Sequence, residues 1–165
     1  MPNPELLPRI ERAKELLRTV RHAALATVNE DGSPHNSPVF AGFDEQLRMY
    51  WASNPESQHS KNIARTGQGF IVLFDSLQKG GGLYLKVAAH VVSDKALAEG
   101  VAAFNKARER ILRESVVVED FTHNATQRLY CAEPLTAWVN LAERDPDGKI
   151  VRDNRYEIPI TAILS

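Results

Sequence analysis

The dipeptide Asp31-Gly32 constrains the fold of this chain more than any other short feature. It separates two extended runs, His22 to Asn29 and Pro34 to Phe43, and the first of them alternates with the period of two that strands show. Asp-Gly between two such runs favours a tight β-hairpin turn. A second short turn at residues 44–46 leads to a third run, Leu47 to Ala52. Three strands spaced so closely predict an antiparallel meander, because a parallel sheet needs long crossover connections.

The rest of the chain alternates between helical and extended patterns. Apolar residues recur at helical spacing within residues 1–21, and a second helical pattern covers residues 94–114. The apolar run Phe70 to Phe74 is typical of a strand that is buried on both faces. Further strands are predicted at residues 83–92, at residues 127–142 and, as a short last strand or extended tail, at residues 156–159.

These patterns together predict the fold class. Six or seven antiparallel strands with helices outside the sheet indicate a mainly β (α+β) protein, a closed or split antiparallel β-barrel with peripheral helices. The sequence shows no internal repeat, low-complexity tract or linker, so one domain over residues 1–165 is the simplest organisation.

The composition is that of an ordinary globular protein, with 165 residues, 43% apolar and 25% charged. A net charge of -1 gives no electrostatic reason to expect a nucleic acid or a membrane surface as partner. No run approaches the roughly 20 apolar residues of a membrane span. The single cysteine, Cys131, cannot form an internal disulfide. We therefore expect a cytoplasmic protein that binds neither nucleic acid nor membrane.

The segment Ser53 to Ile63 is rich in hydroxyl, amide and imidazole groups and is predicted to open a helix that ends at Gly67. A helix N-terminus leaves backbone N–H groups unpaired and carries partial positive charge, so it suits a phosphate. If no phosphate binds, the same residues are only good helix caps. The residues alone leave both interpretations open.

Two registers are compatible with this helix start. With Asn54 as the N-cap, Glu56 would lie in the first turn and repel an anion. With Ser57 as the N-cap, only uncharged or cationic side chains occupy the first turn, and we favour this register. The first turn is then Gln58, His59 and Ser60, and Ser53 adds a hydroxyl from the preceding strand.

The segment Asn36 to Phe40 is predicted to be an edge strand, because Pro38 within it has no N–H to donate to a neighbour. Such a strand exposes backbone groups to which a planar heteroaromatic ring could hydrogen-bond. An ordinary edge strand is the alternative. Trp138 is likewise either a core residue or one wall of an aromatic pocket.

No motif for a metal or for covalent catalysis is visible. The five histidines show no ligand spacing, and the triple glycine at 80–82 is followed neither by Lys-Ser/Thr nor by a helix, so it predicts a hairpin loop. Cys131 has no evident base beside it in the sequence. We therefore predict no metal site and name no catalytic residue.

The order of these segments resembles that of the FMN-binding split-barrel proteins of the pyridoxamine 5'-phosphate oxidase-like family. The hairpin Ala24 to His35, the strand Ser37 to Val39, the helix start Ser57 to Ala64 and the strand Phe70 to Phe74 carry the resemblance. It covers about residues 10–92 and continues loosely through residues 128–139. It implies a homodimer that binds FMN at its interface and acts as a flavin-dependent oxidoreductase on a small molecule.

The resemblance also implies roles for individual residues. The strand Asn36 to Val39 would lie along the isoalloxazine ring, and the Ser53 hydroxyl would lie near the phosphate. Trp138 resembles an aromatic residue that approaches the flavin from the second subunit. The predicted cofactor-binding residues are Asn36, Ser37, Pro38, Val39, Ser53, Ser57, Gln58, His59, Ser60 and Trp138.

The sequence departs from the family pattern in two places. Gln58 and His59 stand where oxidases of the family usually carry Arg and Lys on the phosphate. Phosphate binding would then depend on backbone N–H groups, hydroxyls and His59 if its imidazole is protonated. The sequence Arg128-Leu129-Tyr130 lacks the histidine of the substrate-binding Arg-x-His pattern, so a true pyridoxamine-phosphate oxidase is not expected.

Two other functions are compatible with the same fold. A deazaflavin-dependent reductase would need a basic cleft for a polyanionic tail, and Lys61, Arg65 and Lys86 are the nearby candidates. A non-catalytic flavin or haem carrier, a sensor or a dimeric scaffold would instead explain the missing Arg/Lys pair.

Overall fold

The computed structural model describes residues 6–76, 80–122 and 124–164 as an antiparallel sheet with helices around it. The strands are β1 (His22–Val28), β2 (Pro34–Phe40), β3 (Gly42–Phe43), β4 (Met49–Ser53), β5 (Gln68–Phe74), β6 (Gly82–Val91), β7 (Arg128–Arg144) and β8 (Ile150–Ile158). The helices are α1 (Leu7–Thr19), α2 (Gln58–Thr66), α3 (Asp94–Glu109) and α4 (Ile160–Leu164), with a short 3-10 helix at Val118–Phe121.

All strand pairs are antiparallel, and their order along the sheet is β2-β1-β5-β6-β7-β4-β3, with β8 added to β7. The sheet does not close, because β2 and β3 are the ends of this order. The predicted mainly β, split-barrel class is therefore confirmed, with eight strands rather than six or seven. No helix in the described part of the chain is long and apolar enough to cross a membrane.

The curved sheet has an inner face that lines the main core and an outer face. Leu25, Trp51 and Leu85 on the inner face are fully buried, and α1 packs Ala13 and Leu16 against the same core. On the outer side, α3 covers one end of the sheet with a second cluster that includes Tyr50, Leu97, Phe104, Leu129 and Cys131. Burial of such side chains contributes about 1.5–3 kcal/mol each, so the core fixes which face every strand residue occupies.

The local signals in the first half of the chain are confirmed. Gly32 has a φ of 83° in the β1–β2 turn, and Gly67 ends α2 with a φ of 64°. Both angles lie in the left-handed region that glycine adopts without strain. The predicted strand over Pro34 to Phe43 is divided at Ala41 into β2 and β3, which pair with different neighbours.

The second half of the chain differs more from the prediction. The helix predicted over residues 94–114 ends at Glu109, and the chain then turns through Leu112, whose φ is 56°. The last strand begins at Ile150 rather than residue 156, because the turn at Asp145–Gly148 returns the chain along β7. Helix α4 was not predicted. Parts of the predicted N-terminal helix (residues 1–5) and of the predicted loop before Gly80 (residues 77–79) lie outside the described residues.

Helix α2 is attached to the inner face of β1 by a buried amide. Asn62 is 2% exposed, and its Nδ2 donates to Thr27 Oγ1 and to Asn29 Oδ1, each at 2.9 Å. Its Oδ1 accepts a hydrogen bond from the Gln58 side chain at 3.0 Å. The amide therefore sets the position of α2, and with it the helix start, against the first hairpin.

Replacing this amide tests that attachment. We expect Asn62→Ala to lower the free energy of unfolding by about 1–3 kcal/mol, because it leaves buried polar groups on β1 without their partner. Lys61→Ala on the exposed side of the same helix is the control and should change it by no more than about 0.5 kcal/mol. Urea unfolding measures both, and equal effects would show that the amide does not hold α2 in place.

Candidate functional site

Helix α2 begins in the favoured one of the two predicted registers, which places no acidic residue in its first turn. Ser57 is the N-cap residue with extended backbone angles, and Gln58 is the first helical residue. The Ser57 side chain makes no capping hydrogen bond to the helix backbone. Because N–H groups of a first turn have no intrahelical acceptor, those of α2 can serve a bound anion.

Five of the predicted site residues meet at this helix start, and we call them the serine–histidine cluster: Ser37, Ser53, Ser57, His59 and Ser60. The imidazole of His59 lies between two hydroxyls, with Nε2 2.8 Å from Ser53 Oγ and Nδ1 3.2 Å from Ser37 Oγ. Ser57 Oγ lies 3.2 Å from Ser53 Oγ and donates to Ser60 Oγ at 2.8 Å. Strands β2 and β4 and helix α2 thus share one hydrogen-bonded unit.

The cluster is electrically neutral at neutral pH. Burial, reinforced by nearby His35, lowers the pKa of His59 below the ordinary histidine value. His35 Nε2 lies 3.0 Å from Ser37 Oγ, so one hydroxyl connects the two imidazoles. His35 was not among the predicted site residues, although its position two residues from Ser37 on the same strand places both on one face. An anion here would be held by neutral donors and by the helix dipole.

Among the residues that the structure describes, the first turn of α2 holds neither Arg nor Lys, which the resemblance implied for the phosphate. Gln58 is exposed, and its amide turns back to Asn62. Lys61 Nζ pairs with Glu56 Oε2 at 3.0 Å, and Arg65 donates to the backbone carbonyl of Val28. Lys61 is therefore engaged with the turn before α2 and Arg65 with β1. Arg128, the cross-strand partner of Ser53, donates to the backbone carbonyls of Ala125 and Gln127.

Strand β2 lies at one end of the hydrogen-bonded strand order, as predicted for the segment with Pro38. Ala41 N–H donates to Arg21 O, and Asn29 N–H donates to Ser33 O. Since ladder bonds recur at every second residue, the odd-numbered residues of β2 bond to β1. The backbone groups of Asn36 and the carbonyl of Pro38 therefore face the free edge, where a heteroaromatic ring could meet them.

Alternation along β2 divides its four predicted residues between two faces. Ser37 and Val39 lie on the inner face, and Ser37 belongs to the serine–histidine cluster. Asn36 and Pro38 lie on the outer face, opposite Ala26 and Ala24 of β1. The cluster and the exposed side chains of β2 would therefore contact different parts of a ligand that wraps around this edge.

Trp138 is not next to the cluster within one chain. It lies on the outer face of β7, four strand positions from β2 along the sheet order. Its ring is 6.1 Å from that of Phe70, and Tyr84 is its cross-strand partner. Arg155 lies over Tyr84, 3.9 Å from the ring centroid. We call Phe70, Tyr84 and Trp138 the aromatic patch.

A cavity of about 330 Å³ lies between the first hairpin and the aromatic patch. Its lining includes Ala26, Pro34, Phe70 and Lys86, and it is mostly apolar. A larger groove, about 650 Å³, lies between α1 and the β3–β4 turn and shares no residue with the predicted site. Neither cavity is lined by a residue predicted for the site, and the smaller one offers an apolar surface next to the first hairpin.

The cysteine does not behave as a nucleophile. Burial raises the pKa of the Cys131 thiol to about 11, so it keeps its proton at neutral pH. The candidate site thus offers neutral hydrogen-bond donors, an open strand edge and an apolar cavity. This arrangement suits the binding of a planar phosphorylated ligand better than acid–base or covalent catalysis.

Comparison with solved structures finds the same fold in proteins of different function. A protein from Clostridium acetobutylicum, related to general stress protein 26 and assigned to the pyridoxinephosphate oxidase family, has a TM-score of 0.64 at 12% identity, over 92% of this chain and 95% of that one. A haem-binding protein from Mycobacterium smegmatis has a TM-score of 0.62 at 17% identity, over 92% and 60%. An F420 reductase has a TM-score of 0.56 at 18% identity, over 75% and 94%.

Sequence comparison identifies the family. No curated protein sequence matches the chain at a significant level. The sequence profile of the family described as pyridoxamine 5'-phosphate oxidase matches residues 10–140, which is most of the chain and includes both the helix start and Trp138. The chain therefore belongs to the pyridoxamine 5'-phosphate oxidase family.

Proposed function

We propose that this protein is a homodimeric FMN-binding oxidoreductase that acts on a small molecule. The observation that carries the proposal is the serine–histidine cluster at the start of α2, next to the free edge of β2. A phosphate group and a planar ring joined by a short chain need an anion site and an open edge close together, and this part of the fold provides both.

The phosphate would be held by neutral donors. The first-turn N–H groups of α2 and the hydroxyls of Ser53 and Ser57 can all donate to phosphate oxygens. Each neutral hydrogen bond contributes about 0.5–1.5 kcal/mol, about half of what a charged donor contributes. We therefore expect weaker phosphate binding than an Arg/Lys pair would give.

The ring would lie against the edge of β2. The backbone N–H and carbonyl of Asn36 and the carbonyl of Pro38 face that edge, and ring nitrogens and carbonyls of a flavin are complementary to them. Bound FMN supplies the hydride or electron steps, while the protein positions the ring and excludes water. This division of work is consistent with a site that has no paired acid and base.

The second subunit would complete the site. Trp138 is remote from the cluster within its own chain, so it can reach the flavin of this site only from another copy. The outer face also carries an apolar row, in which Ala24, Val72, Tyr84 and Trp138 are successive cross-strand partners. Phe74, at the end of β5, is 57% exposed. Such a face is typical of an interface between subunits.

The neutral cluster favours one alternative, a carrier or sensor that binds the flavin or a haem without turnover. A haem-binding protein with this fold is consistent with that alternative.

A deazaflavin reductase, a function that occurs in this fold, needs cations for a polyanionic tail. Lys61, Arg65 and Arg128 all have partners within the chain, and Lys86 lies on the rim of the smaller cavity, so this alternative has weaker support.

The direct test is the visible absorption spectrum of the purified protein, with mass analysis of any released ligand. Apoprotein is then titrated with FMN, riboflavin and the deazaflavin cofactor. We expect micromolar or tighter FMN binding, and Gln58→Arg should tighten it about tenfold or more, because a cation then faces the phosphate. Riboflavin, which has no phosphate, should bind both forms equally.

Ala64→Arg adds the same charge to an exposed position further along α2 and is the control for Gln58→Arg. It should leave FMN affinity unchanged. Failure to bind FMN would exclude the proposed cofactor. Tighter binding of FMN and riboflavin alike in Gln58→Arg would show that the phosphate lies elsewhere. Bound FMN without turnover of nicotinamide or quinone substrates would favour the carrier.

The protonation state of His59 can be tested without a ligand. Because the folded-state pKa of His59 is lowered, the unfolded chain takes up a proton first as the pH falls. The free energy of unfolding should therefore decrease as pH drops through about 6.5, the ordinary histidine value, and this component should level off below the folded-state pKa. Urea unfolding at a series of pH values should show the decrease in the wild type and a smaller one in His59→Gln. His22→Gln, at an exposed residue, is the control and should show the decrease of the wild type. A decrease in His59→Gln as large as that in the control would contradict a neutral, buried imidazole.

The dimer can be tested on the apolar outer face. We expect the wild type to sediment as a dimer and Phe74→Glu to sediment as a monomer, because a buried unpaired carboxylate is costly at an interface. Phe74→Glu should also weaken FMN binding by removing the second subunit. Leu112→Glu, at a residue that is 97% exposed on another part of the surface, is the control and should stay dimeric. A monomeric wild type that binds FMN would overturn this part of the proposal.

A further inference from the structure

Three potential metal ligands meet on the outer face of the sheet, at the end of β6 that α3 covers. His90 on β6 is the cross-strand partner of Cys131 on β7, and Glu133 follows Cys131 by two residues. The imidazole nitrogen, the sulfur and a carboxylate oxygen all lie within 4.8 Å of one another. We propose that these three residues form a binding site for a divalent cation of the Zn²⁺ class.

The register of β6 and β7 creates this cluster. Directly opposite residues of an antiparallel pair have Cβ atoms about 4.5–5.5 Å apart, and residues two apart on one strand share a face. His90, Cys131 and Glu133 are therefore the corners of a small triangle on a rigid surface. They have no ligand spacing along the sequence, which is why the sequence alone predicted no metal site.

The donor set selects the metal class. Thiolate, imidazole and carboxylate together are ligands that Zn²⁺ accepts, with bonds of about 2.3, 2.0–2.1 and 2.0–2.2 Å. The Cys131 thiol releases its proton to solvent as the metal–sulfur bond forms. Ligand atoms on one such ion lie about 3.5 Å apart in tetrahedral geometry, so closure from the present separation requires shifts of up to about 1 Å. His90 and Glu133 are exposed and can make these shifts by rotamer changes.

The surroundings hold the sulfur in place and leave one side open. Cys131 is buried in the cluster under α3, beside its cross-strand partner Tyr50 on β4. Close packing of this kind fixes the position of the sulfur. His90 and Glu133 approach from the solvent side, so a bound ion would keep one coordination position for water. Three protein ligands and an open position are typical of zinc sites that are not purely structural.

The site is separate from the proposed flavin site. The serine–histidine cluster is on the inner face of the sheet, and the metal ligands are on the outer face. His90 lies six residue positions along β6 from Tyr84 of the aromatic patch, or about 20 Å along the strand. Loss of metal binding and loss of FMN binding can therefore be measured independently.

Cobalt(II) serves as the spectroscopic probe for the test. Full-length protein is freed of metal with a chelator, titrated with Co²⁺ and then competed with Zn²⁺. We expect one equivalent of Co²⁺ to produce a thiolate-to-cobalt charge-transfer band in the near ultraviolet, and Zn²⁺ to remove it. Zn²⁺ should also raise the thermal midpoint of the wild type.

Variants at the three ligands decide the assignment. Cys131→Ser should abolish the band. His90→Ala and Glu133→Gln should keep it but weaken Co²⁺ binding by more than tenfold, because even groups that only hydrogen-bond to a metal ligand contribute about that much to affinity. His22→Ala and Glu157→Gln, at exposed residues elsewhere on the sheet, are the matched controls and should bind Co²⁺ as the wild type does. Absence of the band in the wild type, or unchanged affinity in His90→Ala and Glu133→Gln, would overturn the proposal.

Discussion

The candidate site depends on the buried polar attachment of α2 to the first hairpin. Asn62 bonds to β1, and His59 bonds to β2 and β4, so one short helix is tied to three strands through side chains rather than backbone. Buried polar groups are costly unless they are paired, and here the described partners pair them. The same bonds that stabilise the helix orient its N-terminus toward the strand edge, so folding and site geometry have a common cause.

The site also illustrates how a fold can be retained while its electrostatics change. In the family pattern that this sequence resembles, Arg and Lys stand at the phosphate, whereas this chain has Gln58 and a buried, neutral His59. Backbone N–H groups and the helix dipole do not depend on side-chain identity, so they would still favour an anion at this helix start. Under the proposed function, cofactor occupancy would depend more on the ring contacts and on the second subunit than it does in a site with a fixed cationic pair.

Local signals in the sequence were sufficient for the elements whose structure is set by neighbours in the chain. The Asp31-Gly32 hairpin, the Ser57 N-cap and the Gly67 stop each follow from a few residues, and each was predicted. Strand β8 was predicted too short because residues 150–155 are exposed and four of the six are polar or charged, and pairing with β7 rather than propensity makes them a strand. Asn62 and the pairing of His90 with Cys131 were missed for a related reason, since their contacts join elements that are distant in the sequence. His35 was missed although its spacing from Ser37 places both on one face of β2.

The environment of His59 has a consequence for how the cluster can meet a ligand. A neutral imidazole donates from one nitrogen and accepts at the other, and both of its neighbours are serine hydroxyls, which can do either. The two tautomers are therefore both satisfied by the same heavy-atom positions. Rotation of the hydroxyl hydrogens and exchange of the imidazole proton reverse the direction of the two bonds that join Ser37, His59 and Ser53. The cluster can thus present either a donor or a lone pair to an arriving group without moving its backbone or changing its net charge.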